Sequence, residues 1–170
     1  MSADVQPVAL RDGRRVEIRP TAAADCEAVA DFFAALARAS LDAQRIAATR
    51  AGTRRQREGL VAHERGRGAL LAVPADAVGP VVGFAGWVYL PEEESCELTL
   101  AVDEGWQDGG LGSALLQAVV RDARVEGYRH FHAEMHGGNL RMLGLLRDLV
   151  SPVNTRVQGG MVRVDFEVPE

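Results

Sequence analysis

The stretch CELTLAVDEGWQDGGLGS, residues 96–113, combines a predicted strand, a polar turn and the start of a predicted helix. Apolar residues alternate with polar or small ones over residues 98–102, which is typical of a half-buried strand. The polar residues 103–105 end that strand, and Gly110 and Gly112 begin a segment with the apolar spacing of a helix. The first N–H groups of a helix lack partners, and glycine lets a ligand approach the backbone closely. The stretch therefore predicts a phosphate-binding turn.

Three glycine-rich patterns can be compared with this turn. The dinucleotide-binding pattern G-x-G-x-x-G fails because Leu115 stands where the third glycine belongs. The P-loop pattern fails because the spacing of Gly105 and Gly110 is followed by Leu-Gly, where a lysine and a hydroxyl residue are required. Residues 107–112 match the third pattern, Q/R-x-x-G-x-G/A, at every fixed position. A glycine-rich turn that binds no ligand stays open as the alternative.

Residues 107–112 resemble the acetyl-CoA pyrophosphate loop of the GNAT superfamily of N-acetyltransferases. Within the superfamily, the chain looks most like the stand-alone catalytic domains of bacterial protein-lysine acetyltransferases. The resemblance implies acetyl-CoA-dependent transfer of an acetyl group directly to a primary amine, with no acyl-enzyme. The acceptor stays open between a protein lysine and a small-molecule amine. A GNAT-fold module that binds acyl-CoA without turnover is a further alternative.

Length and composition place limits on the class of protein. We expect one domain over residues 1–170, because this length suits a single compact core. The net charge of -5 argues against broad nucleic-acid binding, and the apolar runs are too short to span a membrane. Cys26 and Cys96 form neither a disulfide framework nor a C-x-x-C site. With a polar start at residues 1–4, we expect a cytoplasmic protein. A monomer and a homodimer both stay open.

The predicted elements follow the GNAT order, which implies an α/β fold. It has a central mixed, mostly antiparallel sheet of about seven strands flanked by about four helices. The strands are predicted at residues 14–19, 69–73, 81–90, 97–102, 129–136, 153–158 and 161–168. The helices are predicted at residues 23–39, at 41–67 as one helix or two short ones, from Gly110 to a stop at Gly127, and at 139–149. Thr21 is the predicted N-cap of the first helix. Gly159 and Gly160 are predicted to form a hairpin turn.

The resemblance also implies how acetyl-CoA is held as co-substrate. The pantetheine arm would lie between the strands that carry Glu97 and Glu134, bonding like an added strand. Its neighbours would be Leu100, Ala101 and Val102, where a backbone N–H would stabilise the oxyanion. The residues expected at the pyrophosphate are Gln107, Asp108, Gly109, Gly110, Leu111, Gly112 and Ser113. Asn139 and Met142 match the family pattern N-x-x-A/M, in which the Asn contacts the pantetheine.

Two carboxylates compete for the role of general base. Glu97 lies ten positions before Gln107, where several protein-lysine acetyltransferases of the family carry their base. Glu134 lies five positions before Asn139, where ribosomal-protein N-terminal acetyltransferases carry theirs. We prefer Glu97, because its context resembles the lysine-type subgroup and because partial burial in a sheet favours a raised pKa. A purely structural carboxylate stays open for either position.

The chain departs from the family pattern at two positions. Leu146 stands where many members carry the tyrosine that protonates the leaving thiolate. Gly109 stands where the pyrophosphate loop often carries a basic residue. These two positions keep the non-catalytic alternative open.

Two further groups of polar residues remain. The first group alternates along one predicted strand and consists of His130, His132, Glu134 and His136. We interpret it as a polar lining of the acceptor cleft or as hydrogen-bonded histidines of the sheet, in preference to a metal site, so no metal is expected. A solvated helix face is the preferred interpretation of the arginines in residues 41–67, and contact with an anionic acceptor or with the cofactor's 3′-phosphate is the alternative. These arginines are Arg45, Arg50, Arg54, Arg55 and Arg57.

Overall fold

The structure is a computed structural model that describes residues 5–50, 52–76 and 78–169. The polar residues 1–4 and the final residue of the predicted domain lie outside the described residues. The strands are β1 (Gln6–Ala9), β2 (Arg15–Pro20), β3 (Arg67–Pro74), β4 (Gly83–Leu90), β5 (Ser95–Val102), β6 (His130–His136), β7 (Ser151–Gln158) and β8 (Met161–Glu167). The α-helices are α1 (Cys26–Leu36), α2 (Leu41–Arg50), α3 (Arg54–Leu60), α4 (Leu111–Val125) and α5 (Leu140–Leu149).

The strands form one sheet in the order β1-β2-β3-β4-β5-β6-β8-β7. All neighbours are antiparallel except β5 and β6, which run parallel. The predicted mixed, mostly antiparallel sheet is thus confirmed, with one strand more than predicted. The additional strand is β1, an edge strand of 4 residues that contains Pro7. A proline argues against a strand in the sequence, but the edge of a sheet tolerates it.

β5 and β6 separate after a short shared ladder. They pair only from Cys96–Phe131 to Leu98–Ala133, although β5 continues to Val102. Each strand stays paired on its other side, β5 with β4 and β6 with β8. Beyond Leu98 the facing edge of β5 is no longer paired with β6 and can bond to an extended ligand, as the resemblance implies. The facing edge of β6 instead bonds to side chains of α2, at the carbonyl of Glu134 and the N–H of His136.

Helices cover both faces of the sheet. One core forms where α4 and α5 pack around Leu115 and Phe131, and the other where α1, α2 and α3 pack around Phe33 and Phe84. Successive side chains of a strand point to opposite faces. Thus Cys96 and Leu98 of β5 lie in the first core, while Glu97 and Thr99 face α2. None of the helices in the described part of the chain has the length and apolar character that a bilayer crossing needs.

Several predicted boundaries match the structure. Gly127 ends α4 with a φ of 93°, and the hairpin glycines Gly159 and Gly160 have φ values of 59° and 78°. Glycine adopts such values without the steric cost that a β-carbon adds. Residues 41–67 contain two helices, and the second begins at Thr53, whose hydroxyl accepts a hydrogen bond from the Gln56 N–H at 3.1 Å.

The prediction that Thr21 caps the first helix is wrong. The buried Thr21 hydroxyl donates to the carbonyl of Val61 at 2.9 Å, a partner 40 positions away. A 3-10 turn (Ala23–Asp25) precedes α1, and the Asp25 carboxylate accepts from the Ala22 N–H at 2.7 Å. The Thr21 hydroxyl therefore bonds to a residue far along the chain, whereas the local sequence pattern predicted a bond to the first turn of α1.

Candidate active site

The predicted phosphate-binding turn begins α4. Gly110 is the N-cap of α4, with a φ of 94°, and the preceding Asp108 also has a left-handed φ, of 66°. The Gln107 side chain donates from Nε2 to the carbonyl of Val102 at 3.1 Å, which ties the turn to the end of β5. The first N–H groups of a helix have no partner within it. Those of Leu111 to Ser113 are therefore placed to bind an anion.

Gly112 has a packing role in addition to its place in the turn. A β-carbon at this position would lie 2.9 Å from Cδ1 of Leu145, a residue of α5. Glycine here thus lets α4 and α5 approach closely. Close packing of α4 and α5 therefore requires glycine at position 112, in addition to its predicted role of letting a ligand approach the backbone.

Arginine side chains from two other elements flank the turn. Arg141 of α5 forms an ion pair with Asp108, and its hydrogen bond lowers the pKa of that carboxyl. Arg11 donates its N–H to the carbonyl of Gly109 at 3.0 Å, and its side chain lies beside Gly110. Arg14 lies over the Trp106 ring, 4.1 Å from its centroid. Arginine side chains from outside the turn therefore supply positive charge beside it, although position 109, where the family pattern often has a basic residue, is a glycine.

The cleft between the separating strands brings together five of the predicted site residues. A small cavity of about 30 Å³ is lined by Glu97, Leu100, Glu134, Asn139 and Met142, together with residues of α2. Ala101, Val102 and residues 107–113 lie outside this cavity, along the end of β5 and the start of α4.

Asn139 and Asp42 fix the far end of this cleft. The side-chain amide oxygen of Asn139 caps α5 by accepting from the Met142 N–H at 3.1 Å. The Asn139 amide donates to Asp42 at 2.7 Å, and the other oxygen of Asp42 accepts from the backbone N–H of His136 at 2.8 Å. That oxygen also lies 2.6 Å from Nδ1 of His136. Asp42 therefore holds the start of α2 against β6 and α5.

A second and larger cavity of about 450 Å³ lies between the sheet and α2 and α3. Its apolar walls include Leu60, Phe84 and Leu90. Its polar lining residues are Thr49, Arg50, Thr53, Arg55, Gln56, Arg67, Glu97 and Thr99. This volume lies within the range of small-molecule sites, which is about 300–1,000 Å³.

Glu97, Arg50 and Thr99 line both cavities and separate them. The Arg50 guanidinium forms an ion pair with Oε1 of Glu97 and donates to the Thr99 hydroxyl at 2.6 Å. The Arg50 and Glu97 side chains are 27% and 20% exposed, so water screens the pair only in part. Burial lowers the pKa of Arg50, and the neighbouring Arg45 lowers it further. The solvated-face interpretation is therefore wrong for Arg50.

His132 lies behind Glu97, buried between β5 and β6. Its Nδ1 is 2.9 Å from the Ser95 hydroxyl, and its Nε2 is 3.8 Å from both Glu97 and Glu93. Burial lowers the pKa of His132, and the Arg163 guanidinium lowers it further. A lowered pKa favours the neutral imidazole, whose buried Nε2 faces Glu97 without a hydrogen bond to it.

Glu134, the second candidate base, has a different setting. Its side chain is 42% exposed and lies 3.7 Å from Arg163, which is bonded more closely to Glu93 at 2.5 Å and to Asp165. Glu134 lines only the small cavity, whereas Glu97 lines both. Among the described residues, no group of three histidine, cysteine or acidic side chains is arranged to hold a metal ion.

Two other positions named from the sequence lie in the core. Cys96 is fully buried on the opposite face from Glu97, and burial raises the pKa of its thiol to about 12. Leu146 is 1% exposed and packs with the α4 side of the sheet. Neither side chain offers a proton to the cleft.

Sequence reasoning missed Asp42, Thr99 and Arg141. Asp42 and His136 are 94 positions apart, and Arg141 and Asp108 are 33 apart, so no local pattern links them. The one available signal for Thr99 was its position two residues after Glu97 on the same strand face.

Comparisons with known proteins agree with this geometry. The model of the acetyltransferase (GNAT) family matches residues 32–149, which is more than half of the chain. No curated protein sequence gives a significant match. The GNAT domain of Streptomyces lividans PAT is similar in structure, with a TM-score of 0.77 and 22% identity, over 96% of this chain and 97% of that one.

Two further solved structures share the fold. The first is yncA of Salmonella typhimurium, a putative acetyltransferase solved with its cofactor acetyl-CoA; it has a TM-score of 0.64 and 19% identity, over 90% of this chain and 92% of that one. The second is a cAMP-binding acyltransferase from Mycobacterium smegmatis, with a TM-score of 0.68 and 22% identity, over 99% of this chain but 48% of that one. From the family match and the shared fold, the chain belongs to the GNAT family of acetyltransferases.

Proposed function

We propose that this protein transfers an acetyl group from acetyl-CoA directly to the nitrogen of a primary amine, with Glu97 as the general base. The observation that carries the proposal is the position of Glu97, which lines both the cleft between β5 and β6 and the large cavity on the α2–α3 side. A group that takes a proton from an acceptor amine must reach the acceptor and the thioester at the same time.

In this proposal acetyl-CoA binds along the strand gap and the turn at the start of α4, and the gap, whose cavity is about 30 Å³, widens to admit the pantetheine arm. Its pantetheine arm would bond to the free edge of β5 at Leu100, Ala101 and Val102, with Asn139 and Met142 at the other side of the gap. Its pyrophosphate would lie at residues 107–113, where helix N–H groups and the side chains of Arg11 and Arg141 supply positive charge. When bound, acetyl-CoA supplies the activated thioester.

The chain's own groups then have distinct tasks. Glu97 takes the proton of the acceptor ammonium, for which Arg50 must first move from its carboxylate. The neutral amine forms a C–N bond to the thioester carbon, and the C–S bond breaks to release the CoA thiolate. The nitrogen, which carries a second proton after the attack, gives that proton to solvent water as the amide forms. A backbone N–H of the free edge of β5 stabilises the oxyanion. Because position 146 is a buried leucine, we propose that the thiolate leaves without a proton from that position.

Thiol release from acetyl-CoA, with a panel of amines and lysine peptides, tests this proposal. We expect acceptor-dependent release of one CoA thiol per acetylated amine, detected by mass spectrometry of the product. Acetyl-CoA should also raise the melting temperature, because a ligand that binds the native state stabilises it. Stabilisation by acetyl-CoA without thiol release from any acceptor would instead favour a non-catalytic acyl-CoA-binding module.

A further inference from the structure

We propose that the acceptor is a zwitterion, a small amine that carries a carboxylate one or two carbons away, as in an α- or β-amino acid, and that Arg50 recognises this carboxylate. The inference rests on the proposed function, since it names the acceptor class of the same site. It follows from the charges of the large cavity and from the ion pair at its inner end.

The lining of the large cavity carries more positive than negative side chains, although one of its arginines, Arg67, is also paired at 3.3 Å with Glu64 outside the lining. Arg50, Arg55 and Arg67 line the cavity, and Glu97 is the one acidic residue among the described residues in its lining. An acceptor with only an ammonium group meets like charges on the way to Glu97, which raises the free energy of binding. An acceptor that also carries an anion has a partner for these guanidinium groups.

The Arg50–Glu97 pair makes a second demand on the acceptor. The acceptor ammonium must take the place of the Arg50 guanidinium on Glu97, because Glu97 is the proposed base. That exchange leaves the guanidinium without its anion in a setting where 27% of its side chain is exposed. Removing one partner of a half-buried ion pair is strongly unfavourable unless the remaining charge finds a new partner.

A zwitterion completes an exchange of partners. Its ammonium replaces Arg50 on Glu97, and its carboxylate replaces Glu97 on Arg50, so all four charges remain paired. Because Arg50 and Glu97 are in direct contact, the two charges of the acceptor must be separated by only a few bonds. This spacing is met by an amino acid and is not met by a lysine side chain within a peptide.

The rest of the cavity accommodates the remainder of such a molecule. Apolar side chains of Leu60, Phe84 and Leu90 form part of its wall. Gly86 lies opposite Thr99 in the β4–β5 ladder, and a β-carbon there would lie 3.2 Å from the Phe84 ring, so this glycine makes room for the ring in the cavity wall. An amino acid with an apolar side chain therefore matches both the charged inner end and the apolar wall.

Matched acceptor pairs test the inference by binding and by turnover. The probes are L-leucine, L-methionine and L-phenylalanine and their α-carboxamides, which keep the amine and lose the anion. Binding to the protein with CoA is measured by calorimetry, and turnover by thiol release from acetyl-CoA. We expect at least one acid to bind at least about tenfold more tightly than its amide, because a charge-assisted bidentate contact is lost with the carboxylate.

Substitution of Arg50 tests whether this side chain causes the preference for the acid over the amide. We expect Arg50→Gln to remove the acid-over-amide preference, and Arg50→Lys to retain part of it. Arg54→Gln should leave the preference unchanged, since Arg54 is exposed, pairs with Glu58 and does not line the cavity. Acetyl-CoA binding by each variant reports that the variant is folded.

The two readouts separate this inference from the proposed function. Selective binding of the acids through Arg50 without thiol release would contradict the proposed function, and it would support recognition of the carboxylate by Arg50 while overturning the assignment of these acids as acceptors. Thiol release with amides or lysine peptides as efficient as with the acids would support the function and overturn the inference. Binding of no acid, or a preference that survives Arg50→Gln, would also overturn it.

Discussion

At the scale of single residues, the site depends on charges that are held in pairs. Glu97 is paired with Arg50 on one side and lies against the neutral His132 on the other. The carboxylate is thus positioned at the junction of the two cavities by contacts from α2 and β6. The Arg50 guanidinium balances the charge of this carboxylate, and in the proposed reaction an acceptor ammonium replaces it.

Asp108 provides a prediction about the cofactor turn. Its carboxylate is 79% exposed and lies beside the predicted pyrophosphate site, where it occupies Arg141. Replacing it with asparagine removes a negative charge and frees Arg141 for the phosphates, while asparagine still tolerates the left-handed φ of 66°. Asp108→Asn should therefore lower the Kd of acetyl-CoA by about two- to fivefold, with a smaller effect at high salt.

The control for this change is Asp31→Asn, which removes the same charge from an exposed position on α1. Calorimetric titration with acetyl-CoA at two salt concentrations makes the comparison. Weaker acetyl-CoA binding by Asp108→Asn than by Asp31→Asn would place the pyrophosphate away from this turn.

His132 provides a prediction about pH. Its folded-state pKa is below its usual value of 6.5, so the unfolded chain takes up a proton first as the pH falls. The contribution of His132 to stability is therefore complete above about pH 6.5 and is lost as the pH falls through the lower, folded-state value. His132→Gln should remove this part of the acid sensitivity.

Melting temperatures of wild type and His132→Gln at pH 7.5 and pH 5.5 check this prediction. The difference between the two proteins should shift in favour of the variant at the lower pH. An unchanged difference between the two pH values would show that His132 titrates alike in the folded and unfolded states.

At the scale of elements, α2 forms the wall between the two cavities. Asp42 bonds its first turn to His136 and Asn139, and Arg50 bonds its last turn to Glu97 and Thr99. Two residues of this helix, Ala43 and Ile46, are buried. Its polar ends therefore fix its position over the cleft more than its packing does.

Removing the Asp42 carboxylate should loosen this helix. We expect Asp42→Ala to lower the free energy of unfolding by about 2 kcal/mol, because hydrogen bonds to a charged group contribute roughly this amount. It should also raise the KM of the acceptor, since Arg50 loses its fixed position. Urea unfolding and acceptor kinetics measure the two effects, with Asp31→Ala as the control. Unchanged stability and KM would mean that α2 is held by other contacts.

At the scale of the whole molecule, the fold could be predicted further than the site. Apolar alternation and turn glycines identified the strands and the long α4, because these signals are local. The edge strand β1 was missed because it is short and contains Pro7. The capping role of Thr21 was mistaken because its hydroxyl bonds to Val61, far along the chain.

The residues of the site could be predicted from the family resemblance and the predicted strands and helices, but the contacts between these elements could not. The resemblance named Glu97, Glu134, Asn139 and Met142, and the folded sheet brings them to one cleft. The Arg50–Glu97 pair could not be read from the sequence, because it depends on how α2 lies across β5. Composition indicated a solvated arginine face, whereas packing places Arg45, Arg50 and Arg55 in the lining of the two cavities.

The most direct test of the central claim compares Glu97→Gln with Glu134→Gln in thiol release from acetyl-CoA at saturating acceptor. Both substitutions remove one carboxylate from the same cleft, and acetyl-CoA binding reports that both variants are folded. If Glu97 is the general base, Glu97→Gln should lower kcat by about 100-fold or more, and Glu134→Gln by less than about threefold. Release that survives Glu97→Gln and is lost in Glu134→Gln would contradict the account.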